Sequence, residues 1–150
     1  MKDYSSALNK IKDIVELENP GLIVDKVVDF LYNNFDKYSW IGIYVVQGND
    51  LILGPWRGKQ ATEHTKIPVG NGICGAAASS GKTEIISDVA EDERYLSCFI
   101  STKSEIVVPI FSNGKVIGEI DIDSDLTNAF DHEDSVFLEK IAEMISSFIK

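Results

Sequence analysis

The spacing of the apolar residues changes twice along this chain of 150 residues, and that change limits its fold more than any other feature. Between residues 4 and 35 apolar residues recur every three or four positions, in two stretches separated by Pro20-Gly21, which predicts two amphipathic helices. Between residues 39 and 53, and again between 105 and 124, the period falls to two around turn residues, which predicts two β-hairpins. A helical pattern returns after Asp131, a suitable N-cap.

Two segments in the middle of the chain have no periodic pattern. Residues 54 to 72 are rich in glycine and proline and predict an irregular excursion, and residues 88 to 103 form a polar segment. A short alanine-rich helix from 74 to 80 and a short strand from 83 to 87 lie between them. This order predicts one α+β domain over residues 1–150, with a mainly antiparallel central sheet, helices on one face, and loops covering a pocket on the other.

The charge and the N-terminal sequence exclude several classes of protein. The formal net charge of -10 argues against a nucleic-acid partner, because binding a phosphate backbone requires a surplus of lysine and arginine on at least one face. The first residues contain neither the apolar core of a signal peptide nor a run long enough to span a bilayer. We therefore expect a cytoplasmic protein with no membrane partner.

The cysteines and histidines are candidates for thiol or metal chemistry. With only Cys74 and Cys98, a disulfide scaffold is implausible. His64 and His132 have no partner at metal-ligand spacing, so we predict two surface histidines and no metal site. Cys98 lies in a polar segment, which favours a reactive thiol, but its apolar neighbours leave packing as an equal alternative. Cys74 begins the short helix among small residues, where packing explains it, and activation of its thiol by the helix N-terminus is the alternative.

Acidic and aromatic residues alternate along the predicted strands. Asp121 and Asp123 share one face of their strand, and Glu105 opens the strand that pairs with it. Taken alone, such a pattern is more typical of a solvated strand end than of a catalytic site. Trp40 and Tyr44 also share a face, where they could contact an apolar or cationic group or pack in the core.

Several strings of the chain resemble the free methionine-(R)-sulfoxide reductases, which are stand-alone GAF domains. The likeness covers nearly the whole chain in the family's order, and Ser-Glu-Ile-Val-Val-Pro and Asp-Ile-Asp-Ser are specific to that branch. The strings are Ser39-Trp40-Ile41-Gly42-Ile43-Tyr44, Leu53-Gly54-Pro55-Trp56-Arg57-Gly58-Lys59, Ile67-Pro68-Val69-Gly70-Asn71-Gly72-Ile73-Cys74-Gly75, Ser104-Glu105-Ile106-Val107-Val108-Pro109 and Ile117-Gly118-Glu119-Ile120-Asp121-Ile122-Asp123-Ser124.

The resemblance implies a role for each candidate residue. The family's catalytic cysteine lies six residues before the serine of its Ser-Glu-Ile-Val motif, as Cys98 does before Ser104, which implies that Cys98 is the nucleophile. Cys74 matches the cysteine of the family's Gly-Val-Cys-Gly motif and is a candidate resolving thiol. The carboxylates implied as catalytic and substrate-binding groups are Glu105, Asp121 and Asp123, and the implied pocket aromatics are Trp40 and Tyr44.

The implied activity is reduction of free L-methionine-(R)-sulfoxide through a cysteine sulfenic acid, with a role in oxidative stress. The resemblance implies no bound cofactor and recycling by an external thiol such as thioredoxin. The amphipathic helices suggest a homodimer. The chain lacks the resolving cysteine that many members carry ahead of Ile67-Pro68, and its sequence around Cys98 differs from theirs, so it resembles a two-cysteine subgroup. A GAF module that senses a small molecule, or a cysteine redox sensor, is the alternative.

Overall fold

Six antiparallel strands form one sheet in the computed structural model, which describes residues 4–59, 61–62, 64–94 and 102–149. The helices are α1 (Tyr4–Leu17), α2 (Ile23–Asn34), α3 (Gly72–Ser80) and α4 (His132–Ile145). The strands are β1 (Trp40–Gln47), β2 (Asp50–Gly58), β3 (Lys66–Pro68), β4 (Glu84–Ile86), β5 (Ser104–Ser112) and β6 (Lys115–Ser124). Among the described residues, no helix is both long and apolar enough to cross a membrane.

The sheet follows the order β3-β2-β1-β6-β5-β4, so the two hairpins meet at β1 and β6 in its centre. Helices α1, α2 and α4 cover one face, where a core of aliphatic and aromatic side chains excludes water. Its central members include Leu31, Ile41, Ile106, Ile122, Phe137 and Ile141. The predicted α+β fold with a mainly antiparallel sheet is confirmed, because alternate residues of the central strands supply this core.

Helix α3 packs on the opposite face, where the sequence predicted only loops around a pocket. Ile73 and Ala77 pack there in a second buried cluster with Val107 of β5. Gly75 allows this approach, since a Cβ at that position would lie 2.7 Å from the carbonyl oxygen of Pro68. The position of α3 brings Cys74 against the middle of the sheet.

Strand β2 is longer than the sequence predicted. Residues 54 to 58 were expected to be irregular, but they continue the strand, and Gly58 pairs with Trp40 of β1. A register shift between Gly42 and Tyr44 lies opposite Pro55, which has no N–H to give to the ladder. The expectation was wrong because glycine and proline at a bulge bend a strand without ending it.

A buried polar group fixes the last helix to the rest of the chain. The predicted N-cap is confirmed: the Asp131 carboxylate accepts a hydrogen bond from the Asp134 N–H at 3.2 Å. The Asp134 carboxylate in turn accepts hydrogen bonds from the Asp131 N–H at 2.9 Å, from Lys37 Nζ at 2.7 Å and from the Tyr4 hydroxyl. Asp134 therefore joins α1, the chain ahead of β1 and α4.

We predict that Asp134→Ala lowers the free energy of unfolding by about 3 kcal/mol, because it removes the buried carboxylate that accepts from a lysine and a tyrosine hydroxyl. Asp131→Ala, which removes only the exposed half of the capping box, should lower it by about 1 kcal/mol. Denaturant unfolding of both variants measures the difference. Equal losses would show that Asp134 acts only as a capping residue.

Candidate active site

One face of the central strands carries a row of acidic and aromatic side chains. Asp121 and Asp123 share this face of β6, as the alternation predicts, and Glu105 of β5 pairs directly with Asp123. On the other side of β6, Trp40 of β1 pairs with Asp123, and Tyr44 lies on the same face. The structure therefore brings together the implied carboxyl and aromatic residues of the site.

The carboxyl groups of this row are buried, not solvated. Glu105 is 5% exposed, and Asp121 and Asp123 are each 2% exposed. Glu119, two positions earlier on β6, is fully buried on the same face, although it was not among the candidate residues. The same alternation contained the signal, since residues 119, 121 and 123 must share a face. The reading of these residues as a solvated strand end is wrong.

Burial sets the protonation of the carboxyl row, which consists of Glu105, Glu119, Asp121 and Asp123. Desolvation raises the pKa of Asp123, and the neighbouring charge of Asp121 raises it further. Desolvation also raises the pKa of Asp121, and hydrogen bonds with Glu105 and Cys74 offset part of that rise. Glu105 is hydrogen-bonded to both aspartates, and two carboxyl groups can form such a bond only when one of them carries a proton. The row therefore retains protons that exposed carboxylates would lose.

Cys74 lies at the start of α3 with its thiol directed at the row. Its sulfur and carboxylate oxygens of Glu105 and Asp121 all lie within 4.8 Å of one another. Burial raises the pKa of the Cys74 thiol, and the charges of Asp121, Glu119 and Glu105 raise it further. Activation of this thiol by the helix N-terminus is therefore wrong, because desolvation and negative charge outweigh a helix end. By distance, these three residues could hold a metal ion, although the sequence analysis predicted none.

Aromatic side chains form one side of the site. The Trp40 ring stacks on Trp56 at 6.3 Å between centroids, and a Cβ at Gly42 would collide with it. The Tyr44 hydroxyl donates a hydrogen bond to the carbonyl oxygen of His64 at 2.7 Å. This bond holds the backbone of His64 at the site, where the residue is half-buried, whereas His132 is exposed as predicted.

A cavity of about 20 Å³ separates α3 from the carboxyl row. It has room for about one water molecule. The residues that line it are His64, Ile67, Asn71, Ile73, Cys74, Glu105 and Asp121. An amino acid of ten non-hydrogen atoms is larger, so these side chains must move apart before such a ligand can enter.

Cys98 lies outside the described residues, but the chain on both sides of it is anchored. Arg94 forms ion pairs with Glu84 at 3.0 Å and with Asp92 at 2.8 Å. The Lys103 N–H donates to the carbonyl oxygen of Ser124 at 2.8 Å, directly before β5. Cys98 is four residues from both Arg94 and residue 102.

Comparisons with known proteins identify this arrangement. Residues 19–149 match the GAF domain family. The free methionine-R-sulfoxide reductase of Saccharomyces cerevisiae is 49% identical, over 96% of this chain and 89% of its own. This chain belongs to the free methionine-R-sulfoxide reductase family of GAF domains.

Solved structures of this reductase family agree with that assignment. The enzyme from Neisseria meningitidis, in complex with its substrate, is 32% identical with a TM-score of 0.90, over 97% of this chain and 87% of that chain. The type II enzyme from Thermoplasma acidophilum is 37% identical with a TM-score of 0.83, over 91% and 94%. The predictions of a GAF fold and of an enzyme family acting on a sulfur group are confirmed.

Glu119 provides a test of the protonated row. Burial, followed by the charge of Asp121, raises its pKa well above the ordinary value of 4.5. The carboxyl group then favours the folded state below pH 4.5, and that contribution is lost as the pH rises towards the raised pKa. We predict that Glu119→Gln becomes more stable relative to wild type as the pH increases from about 5 to about 8.

Chemical denaturation at both pH values measures this effect. The exposed Glu143 on α4 supplies the matched control, Glu143→Gln, which replaces a carboxyl group outside the row by the same amide. If the Glu119→Gln difference changes with pH no more than the Glu143→Gln difference does, Glu119 is ionised in the folded protein and the row is not protonated as described.

Proposed function

We propose that this chain reduces free L-methionine-(R)-sulfoxide to L-methionine, with Cys98 as the nucleophile. The observation that carries the proposal is the row of buried, proton-sharing carboxyl groups at Glu105, Asp121 and Asp123. A row of this kind can supply both a negative charge for an ammonium group and a proton for a departing oxygen. Family membership identifies the substrate class, because related enzymes are named for this reaction.

Recognition of the free amino acid follows from the charge of the row. The ammonium group of methionine sulfoxide offers three donors and a positive charge to Glu105 and the two aspartates. Inside a peptide the same nitrogen is a neutral amide with at most one donor. A buried carboxylate would then lose its cation, at a cost that disfavours peptide substrates. Trp40 supplies apolar surface for the rest of the side chain.

The chemical step transfers oxygen from the substrate to Cys98. The Cys98 thiol gives its proton to a carboxylate of the row, and its sulfur attacks the sulfoxide sulfur. A protonated carboxyl of the row donates to the sulfoxide oxygen. The protonated oxygen then moves from the substrate sulfur to the Cys98 sulfur, and the bond between the two sulfur atoms and the substrate sulfur–oxygen bond both break. Methionine leaves as the thioether, and Cys98 becomes a sulfenic acid. The substrate sulfur gains two electrons and Cys98 loses two, with no net change in protons.

Two external thiols complete the cycle. The first condenses with the Cys98 sulfenic acid and releases water, and the second attacks the mixed disulfide and restores the Cys98 thiol. Thioredoxin or a small dithiol can supply both equivalents, and no bound cofactor is part of the proposal. Cys74 is a weaker candidate for the first step, because burial and nearby carboxylates raise the pKa of its thiol and so reduce its thiolate fraction.

We predict that Cys98→Ser abolishes formation of methionine from the R epimer while the protein stays folded, because a hydroxyl is a far weaker nucleophile at neutral pH. The assay incubates untagged protein with free methionine sulfoxide and dithiothreitol, and quantifies methionine by chromatography. Cys74→Ser is the matched control. Wild-type binding of the sulfoxide without product would identify a sensor, and full turnover by Cys98→Ser would assign the chemistry to another residue.

We further predict that Cys74→Ser retains most of the activity with a small dithiol. Wild type treated with one equivalent of substrate should then hold a sulfenic acid that a dimedone reagent traps. Mass spectrometry of the trapped protein measures both species. A disulfide between Cys74 and Cys98 after one turnover, with loss of cycling in Cys74→Ser, would make Cys74 the resolving thiol.

A further inference from the structure

Three potential metal ligands of different types converge on the cavity under α3. The Cys74 sulfur comes from α3, one carboxylate oxygen comes from Glu105 on β5, and another comes from Asp121 on β6. All three residues are buried, and their ligand atoms lie within 4.8 Å of one another. Ligand atoms around a tetrahedral zinc ion are separated by roughly 3.5 Å, so side-chain movements of about 1 Å would close the site.

One buried oxygen atom of the Asp121 carboxyl group lacks a hydrogen-bond partner within the part of the chain that the structure describes. Asp121 is 2% exposed, and its Oδ1 atom has no hydrogen-bond partner among the described residues. Asp121 also lines the cavity, whose volume of about 20 Å³ suits a single ion or water molecule. Buried polar atoms of this kind are costly unless a ligand, water molecule or ion satisfies them.

We propose that Cys74, Glu105 and Asp121 form a binding site for one thiophilic divalent cation of the Zn²⁺ type. Thiolate and carboxylate oxygen are both ligands of zinc in proteins, and a single thiolate favours zinc over magnesium or calcium. The cation would neutralise the negative charge of the buried thiolate and carboxylates, which a bound proton otherwise neutralises. A fourth position is left for water or for His64, which lines the same cavity.

The site overlaps the one that the proposed reductase needs for its substrate. Glu105 and Asp121 cannot hold a zinc ion and the substrate ammonium group at the same time, because both cations require the same oxygens. Zinc should therefore inhibit turnover and raise KM without lowering kcat at saturating substrate. This consequence rests on the proposed function, whereas the metal site itself does not.

Metal binding is tested without turnover by titrating the reduced, untagged full-length protein with Co²⁺ and Zn²⁺. We expect one Co²⁺ per chain, a thiolate-to-cobalt charge-transfer band, and displacement of the cobalt by Zn²⁺. The band should persist in Cys98→Ser and be absent in Cys74→Ser, which should bind Zn²⁺ at least about tenfold more weakly. Thermal unfolding of each variant checks that it is folded, and Glu105→Gln, which keeps both thiols, should also weaken Zn²⁺ binding.

Loss of the band in Cys98→Ser but not in Cys74→Ser would overturn the proposal, as would unchanged Zn²⁺ affinity in both Cys74→Ser and Glu105→Gln. The exposed His132→Ala controls for surface binding and should leave the affinity unchanged. Failure of the reductase assay with cobalt binding intact would reject the proposed function alone. Turnover with no cobalt band would reject the metal site alone.

Discussion

The burial of several carboxyl groups on one strand face is the constraint on which the rest of this structure depends. Asp121 and Asp123 lie on β6 in the centre of the sheet, where β1 and β5 flank them on both sides, and α3 packs on the same face. A buried carboxylate is unfavourable unless it is paired or protonated. The hydrogen bonds of Glu105 to both aspartates satisfy part of that requirement through a shared proton.

The buried carboxyl groups lower the stability of the fold, but they provide charge and protons for binding and chemistry. Glu119 and the two aspartates occupy positions that aliphatic residues would fill at lower cost, as Ile120 and Ile122 do on the other face. A buried row of carboxyl groups gains most from a ligand that brings a positive charge. In the proposed reaction the ammonium group of the free amino acid is that charge, and at the proposed metal site it is the zinc ion.

The local sequence pattern predicted most helices and strands, but it could not predict contacts between residues that are distant in sequence. Alternation placed Asp121 and Asp123 on one face, and the cap at Asp131 marked the start of α4. The strand residues after Gly54 were missed, because the bulge opposite Pro55 depends on pairing with β1. The half-buried position of His64 beside the carboxyl groups was missed, because it depends on Tyr44, twenty residues earlier, which donates a hydrogen bond to its carbonyl oxygen. The direction of the Cys74 pKa shift could not be predicted, because it results from burial and from carboxylates on β5 and β6 that are distant in sequence.

The central claim is that the buried carboxyl row selects the free amino acid by its ammonium group. The most direct test compares kcat/KM for free L-methionine-(R)-sulfoxide with that for its N-acetyl derivative, which has the same sulfoxide but a neutral amide. We expect wild type to prefer the free amino acid by at least about a hundredfold, because the acetylated nitrogen leaves a buried carboxylate without its cation. Glu105→Gln should narrow that ratio by slowing turnover of the free amino acid. Equal kcat/KM for the two compounds in wild type would contradict the account.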